Sequence, residues 1–378
     1  MRLLLVANTL PPRDVSGVGE QVLQLAAGLR ETGCAVEVMG RGPGGVAGPK
    51  VLFPLFAVPA VWRALRRFRP HVVQVHESDG GLAALFVAMM APLLEPSPKL
   101  VALLQVSYVE ELRAVRLLRF RGTVLGRPGG VERRFRWLKA PVQIALGCIT
   151  AWAADQVLAP SAATAAEIRR DYGVGEVEVL PNVTGGLDRA EPVPEPGEAP
   201  GYLLFVGRLR IRKGVEVLLE ALRTVRERHS GARLLIAGDG EHRGALERRA
   251  AALELERAVR FLGRRNAAQV RGLLRGARAL VVPSLYEGMP LVVLEAMDAG
   301  LPVVASAVSG IPEVVEDGVS GILEPVGSVE AMGRRAVELL RAPDRHAAMR
   351  GAAIAKAREF SSDRIVPMYE SLYEEVIG

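Results

Sequence analysis

The sequence predicts an α/β protein built from two doubly wound parallel sheets, and three observations carry that prediction. The chain has 378 residues, which is enough for about two domains. Short apolar, β-branched runs alternate with longer helical patterns along the whole length, as in βαβ units. One stretch, residues 185–200, lacks apolar periodicity, contains four prolines and separates two series of such runs, as a linker does.

Each half of the chain is expected to contribute six strands to its own sheet. The linker separates a first domain at residues 1–184 from a second at residues 201–361, and residues 362–378 have the pattern of a capped amphipathic helix. The short apolar runs are typical of strands that helices cover on both faces. The predicted strands are Arg2–Asn8, Val36–Gly40, Val72–His76, Leu100–Val106, Gln156–Ala159, Val177–Leu180, Tyr202–Val206, Arg233–Ala237, Val259–Leu262, Ala279–Val282, Pro302–Ala305 and Gly321–Leu323.

The composition excludes several classes of protein. Hydrophobic residues make up 49% and charged residues 24%, which excludes a disordered or collagen-like chain. The two cysteines, Cys34 and Cys148, are too few and too far apart for a disulfide framework or a metal cluster. The opening apolar run is too short for a secretory signal, and the longest uncharged stretches, Gly80–Leu94 and Ala140–Ala154, are shorter than the roughly 18–20 residues that span a bilayer. A cytoplasmic protein is therefore expected.

The net charge of +6 is concentrated in the first half of the chain. Residues 191–378 are neutral overall, so the whole excess lies in residues 1–190. Within residues 112–139, nine cations stand against one acid, and large apolar residues lie between them. This mixture is typical of a segment on an anionic membrane, such as the inner face of the cell membrane, but a solvated helical hairpin that covers a ligand cleft explains it equally well. Nucleic acid is disfavoured as a partner because the basic stretch has no reading motif.

Small and basic residues follow the first strand of each predicted sheet. Open parallel sheets bind ligands beyond the carboxyl ends of their strands, where N–H groups at helix starts attract anions. Gly17 and Gly19 allow such an approach in the first half, although a plain βα turn explains them as well. In the second half, Arg208 and Lys213 stand among glycines after a strand, which suits a diphosphate, although a solvated charge run would also explain them. The glycine turn of the first half is not a G-x-G-x-x-G fingerprint, which argues against a dehydrogenase.

Two glutamates, Glu287 and Glu295, mark the most specific constellation in the sequence. Glu287 lies after the strand Ala279–Val282, and Gly288 and Pro290 precede a helical pattern that contains Glu295. Two helical turns are expected between the carboxylates, so both would point along one ligand. Because a carboxylate accepts hydrogen bonds from neighbouring hydroxyls, the pair suits a sugar at one end and a ribose at the other. A helix cap with an exposed second glutamate is the alternative, which the apolar neighbours of Glu295 disfavour.

The stretch from Glu287 to Glu295 resembles the E-x7-E motif of glycosyltransferase family 4. Further motifs stand in the family's order and spacing, so the resemblance covers nearly the whole chain. It implies the GT-B fold, in which two Rossmann-like domains face each other across a cleft, and transfer of a sugar from a nucleotide-sugar with retention of anomeric configuration. The further motifs are Gly17–Gly19, Pro181-Asn182, Gly207-Arg208 with Lys213-Gly214, Ala237–Gly240, Phe261–Gly263 and Gly310–Glu313.

Carried over residue by residue, the resemblance implies a donor site in the second half. Arg208 and Lys213 would bind the donor diphosphate and Glu287 would contact the donor sugar, so these three would carry the catalysis. Glu295 would bind the ribose hydroxyls. The terminal helix would cross back onto the first domain. The resemblance implies further contacts from Gly288, Met289 and Leu291 at the sugar or phosphate, from Gly17 and Gly19 at the distal phosphate, and from Gly238, Gly240 and Arg264 near the base.

The acceptor side is expected in the first half, at His76, Glu77 and Gln105. His76 and Glu77 follow a strand at the expected cleft, although a lone histidine is as often a structural residue. Many relatives have a histidine where this chain has Gln105. Glutamine donates and accepts hydrogen bonds but cannot transfer a proton at neutral pH, so this departure bears on the donor sugar and the rate.

The sequence therefore predicts a retaining glycosyltransferase that moves a sugar from a nucleotide-diphosphate-sugar to a glycan, lipid-linked or small-molecule acceptor. Two alternatives remain, a non-catalytic nucleotide-sugar-binding module and a nucleotide-sugar epimerase of the same fold. No metal or other cofactor is expected, because Arg208 and Lys213 supply positive charge and no Asp-x-Asp motif occurs. The expected partners are the nucleotide-sugar donor and the acceptor, with an anionic membrane surface as a third.

Overall fold

Twelve strands in the described part of the chain form two separate parallel sheets of six strands each, as the sequence predicts. A computed structural model describes residues 1–11, 17–41, 45–46, 48–116, 130–184 and 201–378. The chain divides into two units. The first unit comprises Met1–Glu110, Trp137–Leu187 and Phe360–Gly378, and the second comprises Glu111–Arg136 and Asp188–Glu359.

The described residues 111–116 and 130–136 group with the second unit, whereas the predicted boundary assigns them to the first domain at residues 1–184. Val115 packs with Ile211 and Leu285 in a small apolar cluster. The Glu111 carboxylate lies 3.3 Å from the Nε of Arg212. The boundary was predicted from the proline-rich composition of the linker. Composition does not indicate which sheet an earlier segment packs against.

The first sheet has the order β2-β1-β3-β4-β5-β6, with every neighbouring pair parallel. The strands lie where the sequence predicts them, with ends that shift by up to three residues. The strands and the helices up to the linker are β1 Arg2–Val6, α1 Gly17–Glu31, β2 Ala35–Met39, α2 Phe53–Phe68, β3 Val72–His76, α3 Gly81–Met90, β4 Lys99–Leu103, α4 Tyr108–Arg116, α5 Gly130–Arg134, α6 Ala140–Ala153, β5 Gln156–Ala159, α7 Ala162–Tyr172 and β6 Glu178–Val179.

The second sheet repeats the design with the order β12-β11-β10-β7-β8-β9. All six of its predicted strands occur as well. Its elements and the helix after them are β7 Tyr202–Val206, α8 Val215–Arg228, β8 Leu234–Ala237, α9 Arg243–Ala252, β9 Val259–Gly263, α10 Ala267–Gly276, β10 Ala277–Val282, α11 Leu291–Asp298, β11 Val303–Ser306, α12 Ile311–Val314, β12 Gly321–Glu324, α13 Val329–Arg341, α14 Pro343–Ala357 and α15 Ser362–Ile377.

Alternate residues of β1 enter two different cores of the first unit. Leu3 packs with residues of α1 and α15, whereas Leu4 and Val6 pack with residues of α2 and α3 on the other side of the sheet. This alternation follows from the two-residue period of a strand, which points successive side chains to opposite faces. The helix α15 thus belongs to the first unit, where the Tyr373 hydroxyl donates to Gln74 Oε1 of β3 at 2.6 Å.

Each sheet has one place where neighbouring strands send their connections in opposite directions. In the first sheet these strands are β1 and β3, and in the second they are β7 and β10. The connections diverge at the carboxyl ends of the two strands and leave a crevice there, which is the usual ligand site of doubly wound sheets. We call these two places the switch points. Within the described ranges, no helix combines the length and the apolar character of a membrane span.

Candidate functional site

A buried ion pair between Lys213 and Glu287 lies at the switch point of the second unit. Lys213 ends the short helical turn that follows β7, and Glu287 lies in the loop after β10. The Lys213 ammonium donates to Glu287 Oε1, and the Ser284 hydroxyl donates to the same oxygen at 2.7 Å. Only 18% of the Lys213 side chain and 7% of the Glu287 side chain are exposed. The neighbouring strands therefore bring together two residues that lie 74 positions apart.

A close backbone contact holds the two loops of this pair in place. Gly214 has a φ of +65°, and a Cβ on it would lie 2.0 Å from the Pro283 carbonyl oxygen. Leu285 N–H donates to the Arg212 carbonyl at 2.8 Å across the same two loops. Only glycine combines this φ with this approach at low cost. Gly214 thus fixes the distance between the Lys213 turn and the Glu287 loop.

The charges around Glu287 keep its carboxyl group ionised. Burial raises the pKa of Glu287, but the positive charges of Lys213 and Arg212 and the hydrogen bonds from Lys213 and Ser284 lower it, and the net pKa lies below its ordinary value of 4.5. Burial lowers the pKa of Lys213, and Glu287 opposes that shift. The pair thus places an ionised carboxylate and a preorganised ammonium in a partly desolvated position.

Arg208 lies at the same edge of the sheet but faces a different carboxylate. Its Nη2 is 3.8 Å from Glu241 Oε2, and 55% of its side chain is exposed. The Nε of Arg210 lies 3.0 Å from the other oxygen of Glu241. Glu241 was not predicted from the sequence as the partner of Arg208. Its position directly after Gly240, in the loop after β8, could have identified it as a residue of this edge.

The predicted base-side residues lie at the ends of β8 and β9. Gly238 has a φ of +150°, and a Cβ on it would lie 1.8 Å from the Gly207 carbonyl oxygen, so only glycine fits between the loops after β7 and β8. Gly240 lies in the same loop, beside the Leu209 carbonyl. Arg264 follows β9 and is exposed. These residues form one edge, beside Arg208 and away from Glu287.

The spacing of Glu287 and Glu295 is not the helical spacing that the sequence predicts. Glu287 lies outside the helix, which begins at Leu291 after an extended Pro290, so the two glutamates are not two helical turns apart. Glu295 lies within α11 and is half-buried, as its apolar neighbours suggest. Gly288 and Met289 are buried, and the Gly288 carbonyl accepts from Gly310 N–H at 3.1 Å. The predicted separation of two helical turns is wrong because the helix begins only after the extended Pro290.

His76 is buried inside the first unit at the end of β3. Only 1% of the residue is exposed, and its Nε2 lies 3.0 Å from Gln74 Nε2. The side-chain oxygen of Gln74 accepts from the Tyr373 hydroxyl. Burial lowers the pKa of His76 to about 3, so the ring is neutral at physiological pH. These contacts favour the structural interpretation of His76.

Gln105 and Asn182 form a buried amide pair after β4 and β6. Gln105 Nε2 donates to Asn182 Oδ1 at 2.7 Å, and Asn182 Nδ2 donates back to Gln105 Oε1 at 2.9 Å. Glu77, with a φ of +67°, accepts from Gln105 N–H at 3.2 Å. The structure thus joins two of the predicted acceptor-side residues, Glu77 and Gln105, and shows that the Gln105 amide is held by Asn182.

The switch point of the first unit holds a carboxylate between two amides. Asp79 accepts from Asn8 Nδ2 and from Gln143 Nε2, each at 2.6 Å. Asn8 follows β1 and Asp79 follows β3, and a polar residue just after a strand is a sequence signal for a place at the switch point. Gln143 lies within the uncharged helix α6, where nothing in the sequence marks it.

Several predicted residues lie at or beyond the limits of the described chain. Gly17 is exposed at the start of α1 and Gly19 is buried two residues further on, while residues 12–16 before them lie outside the described residues. Of the basic segment 112–139, residues 117–129 lie outside as well.

The described residues offer no clear place for a metal ion. That part of the chain contains no group of three or more His, Cys, Asp or Glu side chains placed to hold one. The expectation that the protein needs no metal or cofactor stays a prediction.

Two family models match the chain, one on each side of the linker. The model described as Glycosyltransferase Family 4 matches residues 15–184, and the model described as Glycosyl transferases group 1 matches residues 189–356. Together they cover most of the sequence. The first match contains β2 to β6 of the first sheet, and the second contains all six strands of the second sheet.

Relatives and solved structures agree with these matches. The chain is 29% identical over 366 residues to a glycogen synthase of Mycobacterium tuberculosis, covering 85% of this chain and 82% of that one. Its fold is similar to sucrose-phosphate synthase from Thermosynechococcus elongatus, with a TM-score of 0.79, 21% identity and coverage of 99% and 98%. It is also similar to HepE from Anabaena, solved in complex with UDP-glucose, with a TM-score of 0.69, 19% identity and coverage of 99% and 100%.

Proposed function

The chain belongs to the glycosyltransferases that these two models describe, and we propose that it transfers a sugar from a nucleoside-diphosphate sugar to a hydroxyl group with retention of anomeric configuration. The observation that carries the proposal is the buried Lys213–Glu287 pair at the switch point of the second unit. UDP-glucose bound to HepE, a protein of the same fold, supports a nucleotide-sugar as the donor. A glycan, a lipid-linked sugar and a small molecule are the acceptor classes proposed.

Lys213 and Arg208 are proposed to stabilise the leaving diphosphate. When the bond between the anomeric carbon and the diphosphate oxygen breaks, negative charge accumulates on the phosphate. Preorganised cations in a partly desolvated site lower the energy of such a transition state. Glu287 and Gly214 already hold the Lys213 ammonium in position, and more than half of the Arg208 side chain is accessible to a ligand.

Glu287 is proposed to bind the donor sugar while it positions Lys213. In the described residues, both hydrogen bonds to its carboxylate end on Oε1, so we assign Oε2 to a sugar hydroxyl. Glu295 on α11 is assigned to the ribose hydroxyls, and the Gly288, Met289 and Leu291 amides to the sugar or phosphate. Gly238 and Gly240 are assigned to the base side of the site, in a loop after β8 that packs directly against the backbone of the loop after β7.

Retention is proposed to follow from attack on the same face of the sugar that the diphosphate leaves. The acceptor oxygen forms the new bond to the anomeric carbon, the bond to the diphosphate breaks, and the acceptor proton passes to a phosphate oxygen. No protein base is required, which agrees with a buried His76 whose lowered pKa makes it a weak base, and with an amide at position 105. The proposed role of the first unit is to contact the acceptor through Glu77 and neighbouring polar groups.

Ligand binding and product analysis together test this function. Thermal unfolding is measured with a panel of nucleoside diphosphates and their sugars, because a ligand of the native state raises its apparent stability. The stabilising nucleotide-sugar is then incubated with and without acceptors, and the anomeric configuration of the product is read by NMR coupling constants. Nucleoside diphosphate release that requires an acceptor, with retained configuration, supports the proposal.

Different outcomes of the same experiment identify the alternatives. Binding without turnover on any acceptor indicates a binding module, and a changed sugar still linked to its nucleotide indicates an epimerase. Inversion at the anomeric carbon contradicts the same-face mechanism. Turnover that stops with EDTA and returns with a divalent cation contradicts the prediction that Lys213 and Arg208 suffice.

A further inference from the structure

Three neighbouring helices of the first unit, α2, α3 and α6, cover one side of its sheet. The helix α3 packs against both α2 and α6. The helices α3 and α6 contain no charged residue at all, in the segments Gly81–Met90 and Ala140–Ala153. A surface helix normally presents charged or polar residues on its outer side, so two adjacent uncharged helices are unusual there.

The outer side of this helix layer is apolar. On α3, Met89 is 67% exposed, and on α6, Val142 is 57% exposed. Two further large residues, Trp137 and Leu138, are exposed in the turn that leads into α6. We define the apolar face as Leu55, Leu85, Met89, Trp137, Leu138 and Val142, all of which belong to the first unit.

The charges on α2 and at the start of α6 are all positive. The helix α2 carries Arg63, Arg66 and Arg67 and no acid, and Lys139 immediately precedes α6. Arg67 pairs with Glu37, which lies outside the helix layer on β2. The side of the sheet covered by α15 is different, because that helix exposes Asp363, Glu374 and Glu375 to solvent.

We propose that the apolar face docks the protein on an anionic phospholipid bilayer. Large apolar side chains with tryptophan, bordered by cations, form the pattern that binds at the boundary between headgroups and acyl chains. A second copy of this chain is a poorer occupant, since pairing two such faces would bring like charges together. Within the described residues no helix is long enough to cross the bilayer, so the face would lie on the surface.

The exposed apolar side chains, rather than the cations of residues 112–139, carry most of this proposed contact. The charge of that segment marks it in the sequence, whereas the exposed apolar side chains lie mostly on α2, α3 and α6. Surface cations are each expected to strengthen partitioning onto anionic lipid by about fivefold, and burying one large apolar side chain by roughly tenfold or more. Docking through the apolar face does not depend on the donor site of the second unit.

Sedimentation with lipid vesicles tests the proposal directly. The full chain is mixed with vesicles of phosphatidylcholine alone and of phosphatidylcholine with phosphatidylglycerol. Tighter binding is expected to the vesicles that contain phosphatidylglycerol, and this difference should shrink as salt screens the cations. Failure of the unmodified chain to bind the anionic vesicles would overturn the proposal.

Two matched variants locate the contact. Met89→Glu combined with Leu85→Glu is expected to reduce vesicle binding at least tenfold, because both side chains lie on the apolar face. Met368→Glu is the control, since Met368 is exposed on α15, on the other side of the same sheet. Equal loss in both variants, or no loss in the first, contradicts the assignment.

Two further measurements separate lipid docking from self-association and from loss of the fold. The mass of the unmodified chain in solution is determined by light scattering, and a dimer that the combined Leu85→Glu and Met89→Glu variant dissociates would overturn lipid docking in favour of self-association. Thermal unfolding of each variant shows whether the fold is kept. Because the readout is vesicle binding and not sugar transfer, failure here leaves the proposed glycosyltransferase activity intact, and failure of that activity leaves this result intact.

Discussion

The two units place different chemistry at the same topological position. Between β7 and β10 the second unit holds Lys213 and Glu287 as a buried ion pair, with Arg208 at the same edge. Between β1 and β3 the first unit holds Asp79 between two amides. The switch point of the second unit thus presents cations, which suit a phosphate. The switch point of the first unit presents amide groups and a carboxylate, which suit hydroxyl groups. The strand order creates the crevice, and the residues that follow the strands determine which class of ligand binds there.

The largest effect is expected from removing the cation of the second unit. Lys213→Ala should lower turnover by about a hundredfold to a thousandfold, because a preorganised positive charge at the diphosphate is lost. The measurement is the rate of nucleoside diphosphate release with saturating acceptor. Lys356→Ala is the matched control, since Lys356 pairs with the exposed Glu359 far along the chain from either switch point. Comparable rates for the two variants would contradict the role of Lys213.

The next effect concerns the glycine that sets the distance between the two loops of the ion pair. Gly214→Ala should destabilise the protein by roughly 3 kcal/mol, because its Cβ would collide with the Pro283 carbonyl. Gly173→Ala is the matched control, since Gly173 has nearly the same φ, +66°, but no atom within 4 Å of its added Cβ. It should cost only about 1 kcal/mol. The measurement is urea unfolding, and equal costs would show that the close contact does not matter.

A substitution in the first unit tests whether its switch point is independent of donor binding. Asp79→Asn keeps one acceptor oxygen and puts an amide N–H₂ against the donor of either Asn8 or Gln143, so it should cost about 1–3 kcal/mol of stability. The affinity of the folded variant for nucleoside diphosphate, measured by calorimetry, should not change. A large loss of affinity would mean that the two switch points do not act separately.

The smallest effect concerns acid stability. The pKa of Glu287 in the folded protein lies below its ordinary value of 4.5, so the carboxylate contributes stability above that pH and loses it as the pH falls through the folded pKa. The difference in unfolding free energy between the unmodified chain and Glu287→Gln should therefore be largest above about pH 5 and shrink in more acid solution. A difference that does not vary between about pH 7 and the acid limit of the folded state contradicts the ionised pair.

Most of the fold could be predicted from the sequence. Strands that helices cover on both faces are continuous apolar runs, and all twelve predicted strands occur in the described chain. The individual residues Lys213 and Glu287 could be predicted too, but their contact could not. This contact requires β10 to lie beside β7, and no local sequence pattern predicts that neighbour.

Two more features could not be predicted from the sequence. The Gln105–Asn182 pair depends on the strand order, because amide side chains accept many partners and the sheet decides which is near. The uncharged stretches that contain α3 and α6 were evident in the sequence. Their exposure was not, because an uncharged helix is normally buried.

The place of α15 has a consequence for the order in which the protein is made. Tyr369 and Tyr373 of this helix complete the core of the first unit, together with Leu3 and Leu25. A ribosome synthesises α15 only after it has synthesised the entire second sheet. Until then, α1 covers only part of this face of the first sheet, and the Gln74 side chain lacks the tyrosine that donates to it. The second unit can therefore finish folding during translation before the first, although it is synthesised later.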